Sequence, residues 1–93
     1  MVSTKLNLEK VVKNFQHYKK LDFNQKIKEI EKEIEKYKDY SEFDEILKKI
    51  DNMVIDLLYD KYYCKILGIP YYNIKNDDVA TLKLTILKNL EIN

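Results

Sequence analysis

Residues 22–67 read DFNQKIKEIEKEIEKYKDYSEFDEILKKIDNMVIDLLYDKYYCKIL. Apolar side chains recur in this stretch at Phe23, Ile27, Ile30, Ile34 and Tyr37, in steps of four and three, the spacing of a narrow helical seam. Asp22 stands before the seam as an N-cap, with Gln25 as its reciprocal partner. Lysines and acids fill the remaining positions, so a helix over 23–38 has only one thin stripe to bury. Ser41 is the cap expected for the next helix, followed by Glu42, Asp44 and Glu45, where the positive helix end favours carboxylates. Phe43, Ile46, Leu47, Ile50, Met53, Val54, Leu57 and Leu58 then make a wide apolar face. Beyond Asp51 the apolar residues spread to Ile55, Tyr59, Tyr62, Tyr63, Ile66 and Leu67, as they do in a segment buried on most sides. Gly68 fits the left-handed residue that ends a helix, with Ile69 folding back and Pro70 just beyond. The expected helix spans 42–67 and is about 39 Å long at 1.5 Å per residue.

A short turn near 39–41 sets these two helices antiparallel, with Phe23 near Leu57, Ile30 near Ile50 and Tyr37 near Phe43. The second helix then outlasts the first by two to three turns. Upstream, Leu8, Val11, Val12, Phe15 and Tyr18 mark a helix over 8–20 behind an Asn7 cap. Downstream the chain carries two periods at once: Val79, Leu82, Ile86 and Leu90 suit a helix face, while residues 81–86 alternate as a strand does. Asn76, Asp77 and Asp78 supply a cap and first-turn acids, which favours a helix over 78–91. The alternative is a β-hairpin with Tyr71–Lys75 as the partner strand. One Gly and one Pro in 93 residues leave little turn punctuation for an all-β fold. The expectation is therefore a single small all-α domain over 1–93, a bundle of about four helices built on the long antiparallel hairpin.

Composition narrows the function. Lysine supplies all 17 basic side chains against 16 acids, a net charge of +1, far from the balance of a dedicated nucleic-acid binder. Without arginine the chain lacks the planar fork that grips phosphate or a guanine edge. The lone Cys64 forms no internal disulfide, no leader-like segment opens residues 1–20, and charges interrupt every apolar run short of a bilayer span; cytoplasm is the expected compartment. Gly68 alone builds no phosphate-binding loop. One His and one Cys complete no structural zinc site, so neither cofactor nor metal is expected. His17 and Cys64 are the only candidates for a nucleophilic pair, but His17 falls on the polar face of its helix and Cys64 in an apolar stretch, which argues against an enzyme.

Two surfaces remain. Five of the eight tyrosines lie within fourteen residues, and the overhang of the long helix with the following loop gathers Tyr59, Tyr62, Tyr63, Ile66, Tyr71 and Tyr72. Tyrosine offers a large contact area with a polar tip, the character of an interface anchor. Residues 1–20 carry a net +4 and residues 21–60 a net −5, and Lys10, Lys13, His17 and Lys20 form a basic stripe on the first helix. The reading that follows is a non-enzymatic helical protein–protein interaction or regulatory module that binds a protein partner or itself. The alternative is weak, sequence-independent nucleic-acid binding along the lysine stripe.

Overall fold

The computed structural model describes residues 3–92. The elements run β1 (Thr4–Leu6), α1 (Leu8–Lys19), α2 (Phe23–Glu35), α3 (Phe43–Leu58), α4 (Lys61–Leu67), α5 (Asn76–Lys88) and β2 (Leu90–Ile92). The bundle is helical, as expected, but its organising element is α5, which packs against α1, α2 and α3. Ala80, Leu82, Leu84, Ile86 and Leu87 are all buried there, together with Thr81 and Thr85. A helix with three others around it needs no polar stripe, which is why residues 78–87 show no single period. The buried hydroxyls are satisfied within α5: Thr81 Oγ1 donates to the Asp77 carbonyl at 2.8 Å and Thr85 Oγ1 to the Thr81 carbonyl at 2.7 Å. This helix replaces the alternative β-hairpin. Leu90, placed by periodicity on the helix face, lies instead in β2, which pairs antiparallel with β1 so that Leu6 faces Leu90.

The helix caps follow the sequence at two of the four expected starts. Asn7 Oδ1 accepts from the Lys10 N–H at 3.2 Å and Asp22 Oδ1 from the Gln25 N–H at 2.8 Å. Ser41 does not cap α3; Glu42 holds that position and makes no side-chain cap bond. At α5, Lys75 takes the position expected of Asn76, and its N–H donates to Asp78 Oδ2 at 3.2 Å.

The expected pairing of α2 along α3 is not formed. Residues 36–42 make a series of tight turns rather than one short reversal, and each helix finds its partner in α5. Phe23, placed by periodicity against Leu57, is exposed. The face that α2 does bury is Lys26, Ile30 and Glu33, rotated from the apolar stripe toward charge, because α5 offers a complementary charge at each end. Lys26 Nζ meets Asp77 Oδ1 at 2.7 Å, and Glu33 meets Lys88 Nζ at 2.8 Å. Both pairs advance in the same direction along the two chains, so α2 and α5 run parallel. Asp77 at the start of α5 and Lys88 at its end suit the helix dipole, and α2 supplies the opposite sign to each.

Glu33 also accepts both hydrogen bonds of Lys36 at 3.0 Å. Burial by itself raises a carboxyl pKa, but the ammonium groups of Lys88 and Lys36 outweigh it and hold Glu33 below its ordinary 4.5. Lys88, hydrogen-bonded to Glu33, is pushed above its ordinary 10.5. A carboxyl lowered on folding stabilises the fold fully above its ordinary value, and that contribution is lost as pH falls through the folded value. The lysine contribution is present below 10.5 and is lost only as pH rises through the raised value. Acid unfolding should therefore draw on Glu33 below pH 4.5. We expect Glu33→Gln to flatten that limb and to cost about 1–2 kcal/mol near neutral pH, read by urea denaturation at a series of pH values.

The helix expected over 42–67 is also divided. At about 39 Å it is longer than the longest dimension of the molecule, 36 Å. α3 stops at Leu58, and Asp60 adopts extended backbone (φ −98°, ψ 110°) and starts α4, its Oδ1 accepting from the N–H groups of Tyr62 (2.9 Å) and Tyr63 (3.3 Å). The break folds the second half back on the core, where Cys64 and Leu67 are buried. Cys64 Sγ donates to the Leu58 carbonyl at 3.2 Å, one of the acceptors freed at the end of α3. α4 closes as expected: Gly68 has φ +76°, its N–H donates to the Lys65 carbonyl, and the Ile69 N–H reaches the Cys64 carbonyl at 2.8 Å. A Cβ at Gly68 would find room, meeting only Gln16 Nε2 at 3.8 Å. Gly68→Ala should then cost about 1–2 kcal/mol through the left-handed backbone alone, measured as a lowered denaturation midpoint with unchanged slope.

Candidate partner interface at the corner of α1 and α4

Asp60 and the turn at Gly68 fix both ends of α4, and Gln16 Nε2 ties it to α1 by donating to the Leu67 carbonyl at 3.1 Å. Cys64 and Leu67 take the inward side, which leaves Tyr62 and Ile66, one turn apart, on the outside. Tyr62 is 66% exposed and Ile66 40%. Tyr63 is half-buried between the two helices, its ring edge-on to Tyr62 at 5.3 Å. Across from them α1 presents Leu8, Glu9 and Val12, and the six residues line an open groove of about 430 Å³.

The other tyrosines of the cluster contact one another rather than line this groove. Tyr71 OH donates to the Tyr59 carbonyl at 3.5 Å, and Tyr71 and Tyr72 stack edge to face at 4.8 Å. Lys61 Nζ lies 5.5 Å from the Tyr71 ring centre and 5.8 Å from that of Tyr72, within cation–π range. Tyr59 and Tyr72 are mostly exposed and Tyr71 is half-buried. The six residues expected from sequence thus fall into two groups, Tyr62, Tyr63 and Ile66 at the groove and Tyr59, Tyr71 and Tyr72 linked to one another, around a bend between two helices rather than on a projecting rod. Leu8, Glu9 and Val12 complete the groove and were not in the expected set. Leu8 and Val12 could be read only as the apolar face of α1, because which part of that face stays uncovered depends on where α4 lies.

The basic stripe is where periodicity puts it. Lys10, Lys13, His17 and Lys20 are exposed. The lysines of α2, α3 and α5 largely pair with acids, as Lys26, Lys32, Lys36, Lys49, Lys83 and Lys88 do. Lys10, Lys13 and Lys20 make no ion pair among the described residues. His17 packs edge-on against Tyr18 at 5.1 Å, whereas Cys64 is buried, and desolvation, with the nearby Asp60 charge adding to it, pushes its thiol pKa up. The imidazole and the thiol therefore occupy different surroundings, and a raised pKa leaves little thiolate for nucleophilic chemistry. Among the described residues no group of three or more His, Cys, Asp or Glu gathers in a way that would hold a metal ion. Nor is any described helix long and apolar enough to cross a membrane. No protein-family model, curated protein or solved structure matches this chain.

Proposed function

We propose that this protein is a non-enzymatic helical interaction module that associates with further copies of itself through the α1 and α4 corner. The observation that carries this reading is the uncovered apolar ridge of Tyr62 and Ile66 beside Leu8 and Val12. Large apolar side chains clustered around a concavity are the usual mark of a binding surface, whereas scattered ones are ordinary. Aromatic anchors that pack into such a concavity supply most of the binding energy in protein interfaces. Light scattering over a concentration series tests the reading: the mass is expected to rise above 11.3 kDa as concentration increases. Tyr62→Ala combined with Ile66→Ala should weaken association by tenfold or more, about 1.4 kcal/mol or above, with little change in melting temperature. A chain that stays at monomer mass throughout overturns it.

The unpaired lysines of α1 support a second reading, weak sequence-independent binding of nucleic acid. It predicts oligonucleotide affinity that falls steeply with salt and is lost on charge reversal at Lys10 and Lys13.

A further inference from the structure

Of the five helices, α2 is joined to the fold differently from the rest. α1 and α3 each pack on both α4 and α5, and the β1–β2 pair ties the start of α1 to the end of α5, where Asn14 Nδ2 also donates to Asn89 Oδ1 at 3.3 Å. Those elements close on one another without α2. Among the described residues α2 has one extensive neighbour, α5. Ile30 is its one buried apolar side chain, with Ile27 and Ile34 partly covered beside it, whereas α3 buries Ile46, Ile50, Val54, Leu57 and Leu58. Charge fastens both ends of the contact. Asp77 holds Lys26 at one end, and at the other Lys88 reaches Glu33 at 2.8 Å and Glu29 at 3.5 Å. Lys36 and the Tyr37 phenol also face Glu33. Elsewhere between helices Lys83 meets Asp51 at 3.3 Å, with both side chains in reach of water.

Ion pairs taken out of water gain little over apolar contacts of the same size. The docking of α2 therefore leans on charge, and acid removes that charge. Protonating Asp77, Glu29 and Glu33 leaves the Lys26 ammonium buried without its counter-charge, and lifting α2 returns it to water. The apolar contacts among α1, α3, α4 and α5 do not depend on protonation. We infer that α2 is a detachable strap: acid releases it from α5 as a unit while the other four helices and the β1–β2 pair stay closed. At 100° per residue, Thr81 and Leu84 lie within about 40° of Asp77 around α5, on the line that leads to Lys88. Both are completely buried, so release uncovers a strip of α5 that is sealed in the closed form.

Amide hydrogen exchange on the full chain reads this helix by helix. A released helix of 13 residues does not hold together in water, so its amides exchange once α2 lifts. At neutral pH the α2 amides should be less protected than those of α5 by about tenfold or more. Ile50→Val, deep in α3, should lower protection across α1, α3 and α5 by about two- to tenfold and leave that of α2 unchanged, because it destabilises the closed and the α2-released forms alike. As pH falls below 4.5, the ordinary value for Glu33, α2 should lose its protection ahead of every other helix. Lys26→Met takes away the ammonium that acid strands, and its α2 should need a lower pH for release. Protection that falls together along all five helices, in acid or in Ile50→Val, overturns the inference, since the fold then opens as one unit. So does release of α2 at the wild-type pH in Lys26→Met, or an α2 already unprotected at neutral pH.

Discussion

Replacing Asp77 with alanine is expected to destabilise the fold by about 3 kcal/mol, while replacing its partner Lys26 with methionine should be neutral or slightly stabilising. The asymmetry follows from burial. The Lys26 side chain is 1% exposed and that of Asp77 48%. Removing the carboxylate strands a desolvated ammonium group against α5; removing the ammonium leaves a carboxylate that water already reaches. Methionine keeps an unbranched apolar stem of similar length in the same slot. The expected loss lies at the low end of the range for broken buried pairs, since water can enter from the exposed side of Asp77. Asp77 also sits in the first turn of α5, where its charge opposes the helix dipole favourably. Urea denaturation at neutral pH gives both values, and the double variant should fall below Lys26→Met only by the lost dipole term, under about 1 kcal/mol, a coupling of about 2–3 kcal/mol between the two sites. A loss below about 1 kcal/mol for Asp77→Ala would mean that the Lys26 ammonium reaches water by another path.

Leu84→Ala is the second large effect, with an expected cost of about 3 kcal/mol. Leu84 is completely buried in α5 and belongs to the single apolar cluster that draws on all five helices. Truncation removes its transfer energy and leaves a cavity that three packed helices cannot easily close. Phe23→Ala is the informative control. A bundle organised by α2 lying along α3 makes Phe23 a core residue, but in this fold it is 43% exposed and its truncation should cost under about 1 kcal/mol. Equal or reversed costs at the two positions would restore the hairpin as the organising contact.

These two experiments probe the part of the fold that was hardest to read in the chain. Periodicity located α1, α2 and the start of α3, and the caps at Asn7 and Asp22 were visible as single residues, because such signals act within one turn. The ending at Gly68 was equally local. Asp60 carried a legible signal as well, an aspartate two residues before adjacent tyrosines, but the apolar run on both sides masked it. Lys26 and Glu33 gave no sign of burial: with Ile30 they occupy one helix face, yet only the presence of Asp77 and Lys88 on a parallel neighbour makes that face buriable. The tyrosine cluster was legible as a run in the chain, but the groove that Tyr62, Tyr63 and Ile66 share with Leu8, Glu9 and Val12 was not, since the bend at Tyr59–Asp60 determines which rings turn outward.

Local rules, acting over three or four residues, were enough to specify that this chain is helical, where α1, α2 and α3 begin, and that α1 carries a basic stripe. Which helix lies at the centre, which charges are buried and which apolar residues are left uncovered depended on contacts between segments some fifty residues apart, such as Lys26 with Asp77 and Gln16 with Leu67. Burial belongs to a pair of surfaces: a side chain has a helical period of its own, but whether it meets water is decided by whatever is packed against it.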